Sequence, residues 1–318
     1  MGKGKFVISL DFELHWGAAE RWDLELKKDY FDTTRRIIPI VLCLFEKYDI
    51  HVTWATVGFL FAKNKQQLLS FCPKERPAYK NNELSYYNLI DSNEVGNDEN
   101  DDPYHYASSL IELILKTPNQ ELGSHTFAHY YCNEEGQNKY QFEADLKAAQ
   151  GLAKENFNVE LKSLVFPRNQ FNSEYIDIAK KNGIKVVRSN PDVWFWKSNS
   201  RLMPLARAFD TLMPISNSLT FVESKKKFND EVLLLPASRF LRPYNENEKK
   251  IQSLKFDRIK NEMTFAAKKD RVYHLWWHPH NFGCSAEDNL IYLEMILKHF
   301  DDLKNEFGFQ SSNMIEMF

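Results

Sequence analysis

Short apolar, β-rich runs alternate with helix-like stretches through most of this chain, and that alternation constrains the fold more than any other feature. Residues 6–10 (Phe-Val-Ile-Ser-Leu) read as a buried strand, and residues 30–48 as an apolar helix that carries Pro39 near its middle. Residues 51–56 form a second β-rich run closed by Gly58, and residues 121–124 the tail of a third. Residues 141–156 place Phe142, Leu146, Ala149 and Leu152 at helical spacing. Residues 163–166 are a strand ended by Pro167, and residues 173–182 a helix with Ser173 as N-cap and Gly183 as its stop. Strands follow at 184–187, 232–235 and 272–277, and long helices at 247–268 and 286–306. Strands separated by helices predict a parallel sheet, open or closed into a barrel.

A length of 318 residues suits one α/β barrel or two ordinary domains, and with no internal repeat we read residues 1–318 as a single domain. Two stretches break the pattern. Residues 72–102 are polar, contain Pro73 and Pro77, and end in the acidic run Asn97-Asp98-Glu99-Asn100-Asp101-Asp102. They read as an insertion, either a flexible lid or a solvated surface loop. Residues 198–230 show no period and read as a second, irregular excursion.

The net charge of -3 lacks the basic excess of a nucleic-acid partner, and no apolar run is long enough to span a membrane. The start, Met-Gly-Lys-Gly-Lys then Phe6–Leu10 and acidic residues, does not read as a secretion signal. Cys43, Cys72, Cys132 and Cys284 are scattered, which suits a reducing compartment. Together these predict a cytoplasmic protein.

Five groups of residues could carry chemistry. Asp11 and Glu13 sit where the first strand ends; two apart on a strand, they share a face. Either the strand has already ended and both acids are in water, or a cation or shared proton relieves their repulsion. His125 and His129, four apart, are either a surface pair or within reach of one metal ion. His278 and His280 follow the run Tyr273-His274-Leu275-Trp276-Trp277; a histidine at the strand end is placed for a general acid, and a turn set by Pro279 satisfies at least one of the two through the backbone. Arg168 also follows a strand and either orients a carboxylate or lies in a solvated loop. Trp194, Phe195 and Trp196 form an aromatic cluster suited to a sugar pocket or to core packing. All but this cluster fall at the C-terminal ends of separate predicted strands, where a parallel barrel gathers its active site.

In this order and spacing the motifs resemble those of the polysaccharide deacetylases. Ser9-Leu10-Asp11-Phe12-Glu13 resembles the family's acidic motif and His125-Thr126-Phe127-Ala128-His129 its His-Ser/Thr-x-x-His motif. Phe166-Pro167-Arg168 is similar to the arginine motif and Leu275-Trp276-Trp277-His278 to the late Leu-x-x-His motif. The first reads Asp-x-Glu in place of adjacent aspartates, the third Phe-Pro-Arg-Asn-Gln in place of Arg-Pro-Pro-Tyr; Asp192 and Trp194 are the nearest match to an aromatic-acidic motif. Residues 53–56 and the run His278-Pro279-His280-Asn281 resemble a branch found among surface-polysaccharide biosynthesis proteins.

The resemblance implies a distorted, incomplete (β/α) barrel and a metal-dependent hydrolase that removes an N-acetyl group from an acetamido sugar in a glycan or glycan precursor. It implies Asp11 as catalytic base, Arg168 as the residue that holds it, and His278 as general acid. Glu13, His125 and His129 would ligate one divalent ion, Zn²⁺ first among candidates, leaving a position open for water. Trp194, Trp196 and His280 are expected to contact the sugar. Three other readings stay open: an amidohydrolase of a cyclic ureide or imide, an O-deacetylase, and a catalytically silent glycan-binding relative.

Overall fold

The structure, a computed structural model, describes residues 3–191, 193, 218–223, 227–229 and 231–318. Asp192, Trp194, Trp196 and most of the 198–230 excursion lie outside the described residues.

Alternation along the first strand sets the architecture. In β1 (Lys5–Phe12), Phe6, Ile8, Leu10 and Phe12 point outward into a large apolar layer under the helices. Val7, Ser9 and Asp11 point the other way. β1 pairs in parallel with β2 (Val52–Thr56) and β10 (Arg271–Trp277). From β2 the parallel order continues through β3 (Gln120–Ser124), β4 (Ser163–Leu164), β5 (Val186–Ser189) and β8 (Val232–Pro236). Two short strands, β6 (Phe221–Val222) and β7 (Lys227–Asn229), pair antiparallel with β10 and β8.

The ring closes through one continuous segment. β8 pairs with β5, and β9 (Arg239–Phe240), which follows it directly, pairs in parallel with β10. The amide N–H of Ala237 bonds the Ser189 carbonyl, and that of Ser238 bonds the His274 carbonyl. The chain thus changes partners within two residues. The result is a nearly closed barrel, the distorted (β/α) form expected from the sequence. Its interior is layered: Val7, Val165, Val186, Leu233 and Val272 pack on Met314 and Met317, which follow β11 (Gln310–Ser312). Above this plug Ser9 and His274 meet, and above them Asp11 and Arg188.

The helices cover the outer face. α1 (Lys28–Lys47) buries Phe31, Ile38, Val41, Leu42 and Phe45 and continues through Pro39. α2 (Lys65–Phe71), α3 (Tyr87–Asp91) and α4 (Ser108–Lys116) are short; α5 (Lys139–Phe157) opens with an Asn138/Gln141 capping box. α6 (Ser173–Lys181) is capped by Asn172, whose side chain accepts from the Tyr175 amide, not by Ser173. α7 (Gln252–Lys268) and α8 (Ala286–Phe307) complete the layer. None of the described helices is long and apolar enough to cross a membrane.

The 72–102 stretch is not solvated throughout. Tyr79, Leu84, Tyr86, Tyr87, Ile90 and Val95 are buried, the last four in the main core. Its acidic residues largely serve the backbone: Asp98 accepts from the Asn100 and Asp101 amides, and Asp102 from Gly96.

Candidate active site

Asp11 is the last inward-facing residue of β1, and it is 3% exposed. A charge so buried requires a partner. Arg188, inward-facing on β5, supplies a two-pronged one: Nη1 donates to Oδ1 at 2.6 Å and Nη2 to Oδ2 at 2.7 Å. The same guanidinium bonds Ser9 Oγ and Asn169 Oδ1 and lies over the Trp276 ring. Burial alone would raise the Asp11 carboxyl, but Arg188 outweighs it and the net shift is downward.

Arg168, expected to hold Asp11, is elsewhere. It sits in a left-handed turn after β4, donates to Glu20 at 2.8 Å, and stacks over Tyr131. The reason is reach: β5 runs through the barrel wall with Arg188 pointing inward, whereas Arg168 belongs to a loop at the rim. A charged residue directly after Val186-Val187 was the available signal, because an arginine inside a buried strand must face an acid.

Beyond Phe12 the strand ends in a tight 3₁₀ turn, Leu14–Gly17, which folds Glu13 back over the barrel. Gly17 is required there, since a Cβ would lie 1.8 Å from Glu13 Oε2. Oε1 lies 2.9 Å from His125 Nε2 and 3.3 Å from His129 Nε2. Burial raises the Glu13 carboxyl, whereas protonated imidazoles facing it, His278 first, hold it well below the usual carboxylate range. Burial lowers His129.

The two histidines sit on a loop, not on a helix face. Thr126 and His129 are left-handed (φ 63 and 54), and the intervening amides of Phe127 and Ala128 donate to the Asp145 carboxylate on α5 at 2.7 and 3.0 Å. Gly58 lets the neighbouring turn approach, since a Cβ there would meet the Phe127 backbone at 2.8 Å.

The donor set suits a divalent cation. His125 Nδ1 lies 2.8 Å from the Val165 carbonyl, which can only accept, so Nδ1 carries the proton and Nε2 of the neutral ring is a bare lone pair. That lone pair faces a carboxylate oxygen. Two acceptors at this separation need a proton or a cation between them. Glu13, His125 and His129 bring their ligand atoms within 4.8 Å of one another, and two imidazoles with one carboxylate form a common three-residue zinc set.

His278, just past β10, has a side chain 25% exposed; Nε2 lies 3.7 Å from Asp11 Oδ2 and 3.9 Å from Glu13 Oε1. Its Nδ1 faces Asn281 Oδ1 at 3.2 Å. His280 stacks beneath it, buried against Trp22, Tyr30 and Phe31, with Nδ1 3.9 Å from Glu13 Oε2. Burial, with the charge of His278 adding, pushes His280 down to about 3. His278 is therefore the histidine presented to the cleft beside Asp11. Asp11, Glu13, Trp22, Arg168, Trp276 and His278 are among the residues lining a cavity of about 350 Å³. Trp22 carries no signal in the sequence, and the expected sugar contacts Trp194 and Trp196 lie outside the described residues.

A family model described as polysaccharide deacetylase matches residues 29–187, half of the chain, a span that includes His125 and His129. Among solved structures, a Mycobacterium smegmatis protein described as a polysaccharide deacetylase is similar over 100% of this chain and 90% of its own (TM-score 0.62, 10% identity). A Pseudomonas aeruginosa protein of the same description is similar over 98% and 89% (TM-score 0.57, 9% identity). An allantoinase is similar over 98% and 88% (TM-score 0.57, 9% identity). At these identities the likeness is one of fold. No curated protein sequence matches this one.

Proposed function

The chain belongs to the polysaccharide deacetylase family, and from that premise we propose that it is a metal-dependent hydrolase removing an N-acetyl group from an acetamido sugar of a glycan or glycan precursor. The observation that carries this reading is a buried carboxylate gripped by an arginine beside a three-residue ligand cluster, Asp11–Arg188 next to Glu13, His125 and His129.

Glu13 Oε1 and the Nε2 atoms of His125 and His129 would hold the ion. Bound there, a divalent ion supplies Lewis acidity, polarising the acetyl carbonyl and lowering the pKa of water toward about 7. The remaining work falls to the chain's own groups. Asp11 accepts a proton from the attacking water as its oxygen bonds the carbonyl carbon. Arg188 keeps that carboxylate ionised and oriented. His278, 3.7 Å from Asp11, gives a proton to the amine as the C–N bond breaks. Acetate and a free amino sugar result, and the proton gained by Asp11 balances the one lost by His278. Trp22 and Trp276 line the same cleft and give a sugar ring apolar faces to rest on.

The test is acetate release over a panel of N-acetylated sugars and oligosaccharides, with Zn²⁺ content measured in parallel. Asp11→Asn is expected to keep the ion and to lose about 10²–10⁴-fold in turnover; full activity in that variant would sink the assignment. Because an allantoinase shares the fold, the panel includes allantoin, and an O-acetylated sugar separates ester from amide hydrolysis. Metal binding with no turnover on any of these would favour a silent glycan-binding relative.

A further inference from the structure

His129 is approached from behind by a line of hydroxyls. Its Nδ1 lies 3.0 Å from the Tyr131 hydroxyl, and that hydroxyl lies 3.0 Å from the one on Tyr86. Tyr86 in turn meets Glu20 Oε2. Glu20 stands in the turn after β1, its side chain 8% exposed, and also accepts from Arg168 Nη2 at 2.8 Å. Arg21 Nε lies 3.2 Å away. Burial raises the Glu20 carboxyl, but the bonds from Tyr86 and Arg168 outweigh it and the net shift is downward.

Counting protons gives this line a direction. A carboxylate only accepts, and each phenol has one proton to donate. Tyr86 directs its proton to Glu20, so its oxygen accepts from Tyr131. Tyr131 then has no proton left for His129 and must accept from Nδ1–H. The far nitrogen, Nε2, is left as a bare lone pair facing Glu13. His125 reaches the same state directly through the Val165 carbonyl; His129, whose Nδ1 faces the Tyr131 hydroxyl instead of a carbonyl, reaches it through two tyrosines. The Tyr86 ring also stacks on the His129 ring at 5.5 Å and 24°, and Arg168 covers Tyr131.

We propose that Glu20, acting through Tyr86 and Tyr131, holds His129 in the tautomer that presents Nε2 to a divalent cation. Glu20 and Tyr86 are then positioning residues for cation binding, three and two hydrogen bonds removed from the ligand ring. The 72–102 stretch, which supplies Tyr86, is thereby part of the metal site's support. This inference rests on the reading of His129 as a cation ligand.

The experiment is Zn²⁺ affinity by competition with a chromogenic chelator, on wild type, Tyr86→Phe and Glu20→Ala. Tyr86→Phe keeps the stacked ring and frees the Tyr131 proton to turn toward Nδ1. Affinity is expected to fall about 10–100-fold in both variants, the range seen when outer partners of metal ligands are removed. Histidine ¹H–¹⁵N spectra of the metal-free proteins provide a second readout: His129 is expected as the Nδ1–H tautomer in wild type and as Nε2–H in Tyr86→Phe. Wild-type affinity with an unchanged tautomer in Tyr86→Phe overturns the relay and leaves the metal site standing. An Nε2–H tautomer in wild type overturns it as well. Failure of the wild type itself to bind Zn²⁺ takes down the cation reading, and the tautomer spectra distinguish that from failure of the relay alone.

Discussion

Arg188 and Arg168 are both near the mouth of the barrel, yet what each faces gives it a different role. Arg188 is 1% exposed and clamps a carboxylate that is 3% exposed. Removing one member of such a pair leaves an uncompensated buried charge, so Arg188→Ala should cost about 3–5 kcal/mol in urea denaturation and abolish turnover. Arg188→Lys should not restore activity, because a single ammonium cannot make two parallel bonds to Asp11. Arg168, its side chain 30% exposed, should cost no more than about 1 kcal/mol when replaced by Ala. Equal losses at the two positions would contradict this division.

At the scale of elements, the loop between His125 and His129 owes its shape to α5. Asp145 accepts the Phe127 and Ala128 amides from a fully buried position, and burial raises its carboxyl to about 7 despite those two bonds. A folded-state value above the unfolded one means that the stabilisation is complete below about pH 4 and is lost as pH rises through about 7. Asp145→Asn removes one acceptor and should cost about 1–3 kcal/mol. Its deficit relative to wild type should shrink between pH 5 and pH 8, since only the wild type titrates. Denaturation midpoints across that range provide the check; a deficit growing with pH would refute it. Metal affinity should fall in the same variant, because the loop aims both histidines.

The molecule as a whole buries several neutral histidines, and these set its response to acid. Burial lowers His274 to about 3, with the nearby Arg188 charge adding, and lowers His15 to about 4, with His105 adding. His274 sits in the barrel interior, where Nε2 accepts from Ser9 and Nδ1 donates to the Pro236 carbonyl. His15 belongs to a separate buried chain through His105 to Asp102. A histidine with a depressed folded value contributes stability above its unfolded value of about 6.5 and loses it as pH falls toward the folded one. Each therefore adds a slope of up to about 1.4 kcal/mol per pH unit between about pH 6 and pH 4. Stability is expected to drop over that window in denaturant titrations, and His274→Gln should flatten the drop. An unchanged slope would mean that His274 is charged in the folded protein.

What was legible in the sequence was local. The alternation of Phe6, Ile8, Leu10 and Phe12 with Val7, Ser9 and Asp11 defines a strand with two different faces, and the spacing of His125 and His129 needs no knowledge of the rest of the chain. The order of strands and helices likewise restricts the fold to a parallel sheet or barrel, because each element must bury its apolar face on the next. Tertiary structure alone decided which groups meet. Asp11 lies 177 residues from Arg188, and nothing local distinguishes Arg188 from Arg168 as its partner until β5 is set across the barrel from β1. The same holds for the polar 72–102 stretch, whose composition reads as solvated but whose Tyr86 is buried behind His129. A pattern of side chains along one element is written in neighbouring residues, whereas the pairing of a buried charge depends on which strands become neighbours in space.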